Sequence, residues 1–292
     1  MRNRTLPALL ILILISACTT RSYTDFQKPV VSVSILPQRW FIEQLAGDKV
    51  IVNVMIPPGA SPATYEPSIS QLGQLKRSSI YMKMGYLGFE LGWMDKIVSV
   101  NPSMEVADLS KGIELIEVEE HEKHHSHSHI HRGADPHIWM SARNAELLAK
   151  NASETLSRLL PADSAHIAAN LEVLIAKLDS LDREIQSLLS GFESRSFMIY
   201  HPALAYFARD YHLEQLSIEW EGKTPSPAHL KRLAILGKEE QISTIFVQME
   251  FDSKNAEILS EEIGAEIVRI NPLDPEWPDQ MVRIASKLKD SM

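Results

Sequence analysis

An apolar stripe between residues 163 and 190 constrains the fold of this 292-residue chain more than any other feature. Six aliphatic side chains recur there at alternating spacings of three and four, which is the period of one face of an α-helix. They are Leu171, Leu174, Leu178, Leu181, Ile185 and Leu188. At about 1.5 Å per residue, a helix over this segment is roughly 40 Å long, which exceeds most helices of globular proteins. The stripe fits either a long core helix or a stiff connector that spans two lobes.

Strand and helix patterns alternate on both sides of this predicted helix, as they do around a parallel sheet. Apolar, β-branched runs predict strands at 30–36, 50–56, 80–85, 196–200, 242–248 and 265–270. Helical patterns fall at 37–47, 69–76, 142–159, 203–211, 227–238, 253–263 and 277–290. The chain therefore predicts two α/β lobes of similar size, at 29–160 and 192–292, with a connecting helix at 161–191.

The N-terminus has the order of a signal peptide, with two arginines, an apolar run at 8–15 and then small residues. The apolar run is too short to span a bilayer in the mature protein. Cys18 follows small residues in a pattern that resembles the bacterial lipobox, in which the cysteine is lipidated. We therefore expect a signal peptide over 1–17, a lipidated tether over 18–28 and an exported protein. An ordinary secretory signal with a chance cysteine is the alternative.

Composition narrows the chemistry that a binding site can use. Cys18 is the only cysteine, so the exported body can form neither a disulfide nor a cysteine-based zinc site. A transition-metal site must then use histidine, aspartate and glutamate. The formal net charge of −9 disfavours nucleic acid as a partner, because phosphate binding needs a basic face.

A polar loop is predicted at 119–133, and it contains six histidines. They are His121, His124, His125, His127, His129 and His131. A flexible loop does not preorganise its imidazoles, so we expect weak, multiple and exchangeable metal capture there, with a solvated low-complexity insert as the alternative. The residues HEKHH at 121–125 also match the H-E-x-x-H motif of zinc hydrolases. Their neighbours lack the apolar stripe that would hold the required helix, which disfavours an enzyme.

Three other residues could meet in a cleft between the lobes. His201 and Asp274 each follow a predicted strand, at the edge where open α/β sheets place ligand groups. His137 leaves an extended turn, because a proline restricts the residue before it, Asp135. Imidazole and carboxylate donors together favour zinc, with manganese and iron less suited. Asp135 would orient the imidazole through a hydrogen bond, and Trp139 would wall the site.

Several ordered motifs make the chain over 30–290 resemble the ZnuA-like and TroA-like substrate-binding proteins of bacterial ABC importers. The motifs are PPGASPATYEP at 57–67, the histidine-rich loop, DPHIWMS at 135–141, HPALAYFARDYHL at 201–213, FVQMEF at 246–251 and INPLDPEW at 270–277. The resemblance implies two Rossmann-like α/β lobes joined by one long rigid helix, with a metal cleft between the lobes. It also implies delivery of Zn²⁺ to a membrane permease that works with a separate ATPase subunit.

The resemblance also assigns site residues. His137 matches the histidine of the family's D-P-H-x-W motif, His201 matches the position that is histidine in zinc-type members, and Asp274 falls near the carboxylate of the last strand's loop. The family's first ligand is usually a histidine, but this chain has Ala63 there, which cannot bind metal. Glu66 or a histidine of the loop would then replace the missing donor, or the metal would keep water, or metal affinity would be lost.

The sequence therefore predicts an exported, lipid-anchored and monomeric zinc-binding protein of the periplasm or cell surface. Zinc would be held by His137, His201 and Asp274. Glu250 would shape the floor of the cleft or support a ligand, with an ordinary strand-end carboxylate as the alternative. A homologue that binds Mn²⁺ or Fe²⁺ and a metal-binding surface adhesin are the alternatives, and a zinc hydrolase that uses HEKHH is a third.

Overall fold

The computed structural model describes residues 28–117, 133–191, 195–219 and 224–291. The first lobe contains β1 (Val30–Val33), α1 (Leu36–Ala46), β2 (Ile51–Val54), α2 (Ile69–Gln74), β3 (Ser78–Lys83), α3 (Gly88–Val100), β4 (Glu105–Asp108) and α4 (Ala142–Leu159). The long helix α5 (Ser164–Leu188) follows. The second lobe contains β5 (Ser196–Ile199), α6 (Ala205–Tyr211), β6 (Glu214–Ser217), α7 (Pro227–Glu239), β7 (Thr244–Gln248), α8 (Lys254–Ile263), β8 (Glu266–Ile270) and α9 (Trp277–Ser291). The predictions made for Cys18 and for the histidines of 121–131 lie outside the described residues.

Each lobe is built on a parallel four-stranded sheet, and the two sheets have the same strand order. The orders are β2-β1-β3-β4 and β6-β5-β7-β8, and all neighbouring strands pair in parallel. In each sheet the chain first adds a strand on one side of the first central strand and then crosses to the other side. The strand order therefore reverses between β1 and β3 in one lobe and between β5 and β7 in the other. Open α/β sheets bind ligands outside the carboxyl ends of such strands. The predicted fold class is confirmed.

In the N-terminal lobe, a buried carboxylate fills the crevice between β1 and β3. Glu90 lies in the first turn of α3 and is 2% exposed. Its Oε1 accepts a hydrogen bond from the Met84 backbone N–H at 2.7 Å, and its Oε2 accepts one from Gly85 at 2.7 Å. The Ser34 hydroxyl also donates to this carboxylate. Burial raises the pKa of Glu90, and these donors oppose that rise. Protein groups therefore occupy this crevice.

The predicted connector is α5, and its apolar stripe packs against both lobes. Its buried side chains are Ile167, Leu174, Leu178, Leu181 and Ile185. The helix contacts α1 and α4 of the first lobe and α9 of the second. Truncating a buried leucine of this kind lowers the free energy of unfolding by about 2–5 kcal/mol. The apolar stripe of α5 therefore anchors both lobes to the same helix. Within the described segments, no helix combines the length and apolarity needed to cross a membrane.

Two tryptophans add direct hydrogen bonds between the lobes. The Trp139 indole, which precedes α4, donates to the Pro272 carbonyl oxygen at 2.9 Å. The Trp277 indole, at the start of α9, donates to the Trp139 carbonyl oxygen at 2.9 Å. The Trp277 ring also packs against Phe41 and Trp40 of α1, with centroids 5.3 and 5.7 Å apart. This reciprocal indole pair fixes the position of the segment that carries His137.

Three elements of the fold were not predicted from the sequence, namely α3, β4 and β6. The two strands lie at the edges of their sheets and have the polar sequences EVAD and EQLS. Neither sequence contains the continuous apolar run that marks a buried parallel strand. Both strands therefore lack the pattern from which a strand is predicted.

Candidate metal site

His137 is held by a carboxylate two residues before it. Asp135 is 6% exposed, and its Oδ1 accepts hydrogen bonds from the His137 backbone N–H at 2.8 Å and from the ring Nδ1 at 2.9 Å. The Asp135 backbone is itself fixed, because its N–H donates to the Ile116 carbonyl oxygen at 2.8 Å. With Nδ1 engaged in this way, the His137 ring presents Nε2 to the cleft. The predicted orienting role of Asp135 fits this geometry.

His201 follows β5, at the carboxyl end of a central strand of the second sheet. Its Nδ1 lies 2.6 Å from Oε2 of Glu219, a buried residue that follows β6. The Gln248 side chain brackets the His201 backbone, since its Oε1 accepts from the His201 N–H at 3.2 Å and its Nε2 donates to the carbonyl oxygen at 2.6 Å. The Phe251 ring stacks on the imidazole, with centroids 5.0 Å apart and planes at 19°.

The sequence interpretation missed Glu219. This residue holds His201 as Asp135 holds His137, but it follows the edge strand β6, which was not predicted. The only signal was the short run LSIEW at 216–220, in which a carboxylate follows an apolar stretch.

The two imidazoles face each other across the cleft. Their Nε2 atoms are 3.3 Å apart, and the rings make an edge-on angle of 72°. When both rings are neutral and each Nδ1–H donates to its carboxylate, both Nε2 atoms carry lone pairs and neither can donate to the other. A tetrahedral zinc ion with Zn–N distances of about 2.0–2.1 Å places two ligand nitrogens roughly 3.3–3.4 Å apart. The pair therefore has the separation and the orientation of two ligands of one ion.

The pair opens into a cavity of about 170 Å³ between the lobes. The first lobe contributes Ala63 and Gly88 to its wall. A Cβ atom on Gly88 would lie 2.7 Å from the Ala63 carbonyl oxygen, so glycine is needed for this close approach. The Phe89 backbone N–H, one residue on, donates to the Pro62 carbonyl oxygen at 2.8 Å. The segment that contains Ala63 is thus held against the start of α3. At this position the cavity wall carries the methyl group of Ala63 instead of the histidine that the family usually has.

Glu250 lies in the wall of the same cavity, beyond the carboxyl end of β7. Burial raises the pKa of its carboxyl group, and the nearby imidazoles of His201 and His137 lower it. The carboxyl group of Glu250 therefore lies near both histidines.

Two further predicted ligands do not line the cavity. Asp274 lies beside the cavity residue Leu273, and its Oδ1 accepts from the Glu276 N–H at 2.9 Å while its Oδ2 accepts from the Asn271 amide at 3.3 Å. Glu66 is exposed. In the part of the chain that the structure describes, no three histidine, cysteine, aspartate or glutamate side chains lie close enough to hold an ion as they stand. A ligand role for either residue stays a prediction.

Two α/β lobes, one connecting helix and paired imidazoles in the interlobe cleft define the class of two-lobed binding proteins that hold a small ligand between their lobes. Residues 31–290 match the family described as "ZnuA: Zinc-uptake complex component A periplasmic". The chain belongs to this family, so the resemblance found in the sequence is confirmed.

Relatives and solved structures agree with this membership. The chain is 29% identical to the "High-affinity zinc uptake system protein ZnuA" of Bacillus subtilis (strain 168), over 90% of this chain and 85% of that protein. It is 27% identical to "Zinc-binding lipoprotein AdcA" of Streptococcus pneumoniae (strain ATCC BAA-255 / R6), where it spans 52% of that protein's length. A crystal structure of ZnuA superimposes with a TM-score of 0.85 at 34% identity, covering 91% of this chain and 99% of that one. A ZnuA deletion mutant solved with zinc bound gives 0.84 at 34% identity, covering 91% of this chain and 98% of that one.

Proposed function

We propose that the protein is the zinc-binding component of a bacterial ABC importer and that the interlobe cavity holds its cargo. The observation that carries the proposal is the 3.3 Å separation of the facing Nε2 atoms of His137 and His201. The names of the relatives support it, since the Bacillus protein is named for zinc uptake and the Streptococcus protein for zinc binding.

The carboxylates behind the imidazoles explain how the site would hold its cargo. Asp135 and Glu219 each accept from Nδ1, which fixes the tautomer, orients the ring and makes Nε2 a better donor to a cation. Imidazole nitrogen suits zinc, whereas an oxygen-rich site suits manganese. Zinc is therefore the proposed cargo, and Mn²⁺ and Fe²⁺ are the competitors to test against it.

The ligands beyond the histidine pair are part of the proposal. Asp274 is the third ligand expected from the sequence, and Glu66 or a histidine of the loop is the substitute expected for the donor missing at Ala63. For each of these assignments the support is the sequence resemblance, and a water molecule would complete a site with fewer protein ligands.

Export, anchoring and partners complete the proposal. The protein would be lipidated at Cys18, face the periplasm or the cell surface, and act as a monomer that presents zinc to a permease with a separate ATPase subunit. The work is binding and delivery rather than catalysis. The family membership and the lipoprotein name of one relative support this part.

The test is calorimetric titration of zinc into metal-free protein. Replacing both His137 and His201 by Ala is expected to abolish stoichiometric tight binding, because it removes both nitrogen donors. His166→Ala is the matched control, since His166 is exposed on α5 and far along the chain from either ligand. Tight one-to-one binding that survives the double substitution would refute the assignment, and circular dichroism would confirm that the variant is folded.

A further inference from the structure

The segment 248–251 wraps around His201, which brings one more carboxylate to the cavity. Gln248 ends β7 and bonds both backbone groups of His201, while Phe251 stacks on its ring. Glu250 lies between these two contacts and lines the cavity. We propose that Glu250 rotates onto the cargo ion as a protein ligand beside the two histidines, and that Glu250, rather than Glu66 or a histidine of the loop, replaces the donor that Ala63 cannot supply. This inference rests on the proposed function.

The strand order of the second sheet places Glu250 and His201 at the same edge. β5 and β7 are neighbouring central strands, with Met198 opposite Ile245 and Ile199 opposite Phe246. His201 follows the end of β5 by two residues, and Glu250 follows the end of β7 by two residues. Both therefore project from the carboxyl ends of adjacent parallel strands, at the point where such sheets bind ligands.

In the described part of the chain, the imidazoles of His201 and His137 are the cationic or potentially cationic side chains that act on Glu250. No salt bridge to a lysine or arginine forms there, and the groups that lower its pKa are its own backbone N–H and the imidazoles of His201 and His137. Most of the cavity wall around it is apolar, with Pro136, Leu87 and Leu273 among the lining residues. A carboxylate in such a wall is costly without a cation, and a divalent ion held by the histidine pair would supply one.

Two other side chains with oxygen atoms that line the cavity, Asp135 and Ser61, already accept hydrogen bonds from protein groups. Asp135 lines it too, but its Oδ1 is bonded to His137. Ser61 accepts a hydrogen bond from the Ala63 backbone N–H at 3.3 Å. Glu250 is thus the cavity carboxylate that remains available to an ion.

The proposal requires a movement of the side chain rather than of the lobes. The described residues contain no ready cluster of three donors, so Glu250 must change rotamer when the ion arrives. Its neighbour Met249 is 66% exposed, so the turn after β7 is not packed on that side. A glutamate has three rotatable side-chain bonds, which gives its carboxylate the reach that such a recruited ligand needs.

The test measures zinc affinity, by competition with a chromogenic chelator, and the zinc coordination shell, by X-ray absorption. Glu250→Gln is expected to weaken zinc binding on the order of 100-fold and to remove one oxygen from the shell while both imidazoles stay. Glu250→Asp keeps the negative charge but shortens the side chain by one methylene group. If Glu250 is a ligand, this variant should also lose the oxygen atom from the zinc coordination shell. Glu261→Gln is the matched control, because Glu261 is an exposed carboxylate on α8 outside the cavity lining. It is expected to change the affinity by less than about threefold, within the range of ordinary surface substitutions.

The outcomes separate this inference from the proposed function. Full affinity and an unchanged shell in Glu250→Gln, with tight binding still dependent on His137 and His201, overturns the role of Glu250 alone. Full affinity in Glu250→Asp together with loss in Glu250→Gln also overturns it, because charge without reach would then be sufficient. Wild-type protein that binds no zinc overturns both proposals.

Discussion

Restoring a histidine at position 63 is expected to tighten zinc binding. Ala63 lines the cavity that His137 and His201 face, and its backbone is held in a turn in which the N–H groups of Thr64 and Tyr65 donate to the Ser61 carbonyl oxygen at 3.2 and 3.0 Å. An imidazole placed there would start from a fixed backbone. The variant Ala63→His therefore adds one nitrogen donor to the site.

The expected gain in zinc-binding free energy is estimated from the contribution of one ligand to a four-ligand zinc site. Structural zinc sites bind with about 10–16 kcal/mol, which is about 2.5–4 kcal/mol for each of four ligands. Ordering the new side chain costs about 1 kcal/mol of rotamer freedom. The net gain of about 1.5–3 kcal/mol corresponds to a roughly 10- to 150-fold lower Kd.

Chelator competition at fixed pH measures this gain, and Ala63→Phe is its matched control. Phenylalanine adds a ring of similar size without a donor atom, so it reports the effect of filling the cavity alone. X-ray absorption of the zinc complex should show one additional imidazole in Ala63→His. Equal affinities for the histidine and phenylalanine variants, or a coordination shell without the added imidazole, would refute the reasoning.

Two further substitutions test the supports of the site. Glu219→Ala is expected to weaken zinc binding about 10- to 100-fold, because it frees Nδ1 of His201, and an unchanged Kd in the same competition assay would contradict this role. Gly88→Ala is expected to lower the free energy of unfolding in urea by about 1–3 kcal/mol, because the new Cβ would meet the Ala63 backbone at 2.7 Å. Gly92→Ala in the same helix meets nothing within 4 Å and should be neutral or stabilising, so equal losses in both variants would rule out the contact as the cause.

The sequence allowed the central elements to be predicted, because their hydrophobic patterns are strong. The helix Ala142–Leu159 and the long helix Ser164–Leu188 match the segments expected from apolar periodicity within one or two residues. The central strands β1, β5 and β7 are apolar, β-branched runs that are buried nearly throughout. The edge strands β4 and β6 escape this reasoning because their sequences are polar, whereas the edge strands β2 and β8 contain apolar runs and were predicted.

The candidate site was predictable in part, and for a related reason. The structure brings together His137 and His201 as the sequence suggested, because both follow recognisable turn or strand signals. Glu219 could not be found, since its strand was missed. Glu250 was expected at the floor of the cleft, and the pairing of β5 with β7 places it in the cavity wall. Asp274 was expected in the cleft because it follows a strand. Its carboxylate instead accepts hydrogen bonds from residues of its own turn and does not line the cavity.

The indole hydrogen bonds of Trp139 and Trp277 oppose separation of the two lobes. Swinging the lobes apart about a hinge would break both hydrogen bonds between Trp139, Pro272 and Trp277 and would strip the Trp277 ring from Phe41. Rotating a side chain at the mouth of the cavity breaks none of these contacts and crosses a lower barrier. For the proposed cargo, we therefore expect release to follow local motion at the cavity mouth while the two lobes stay in place. We expect a partner that accelerates release to act on the cavity mouth rather than to separate the lobes.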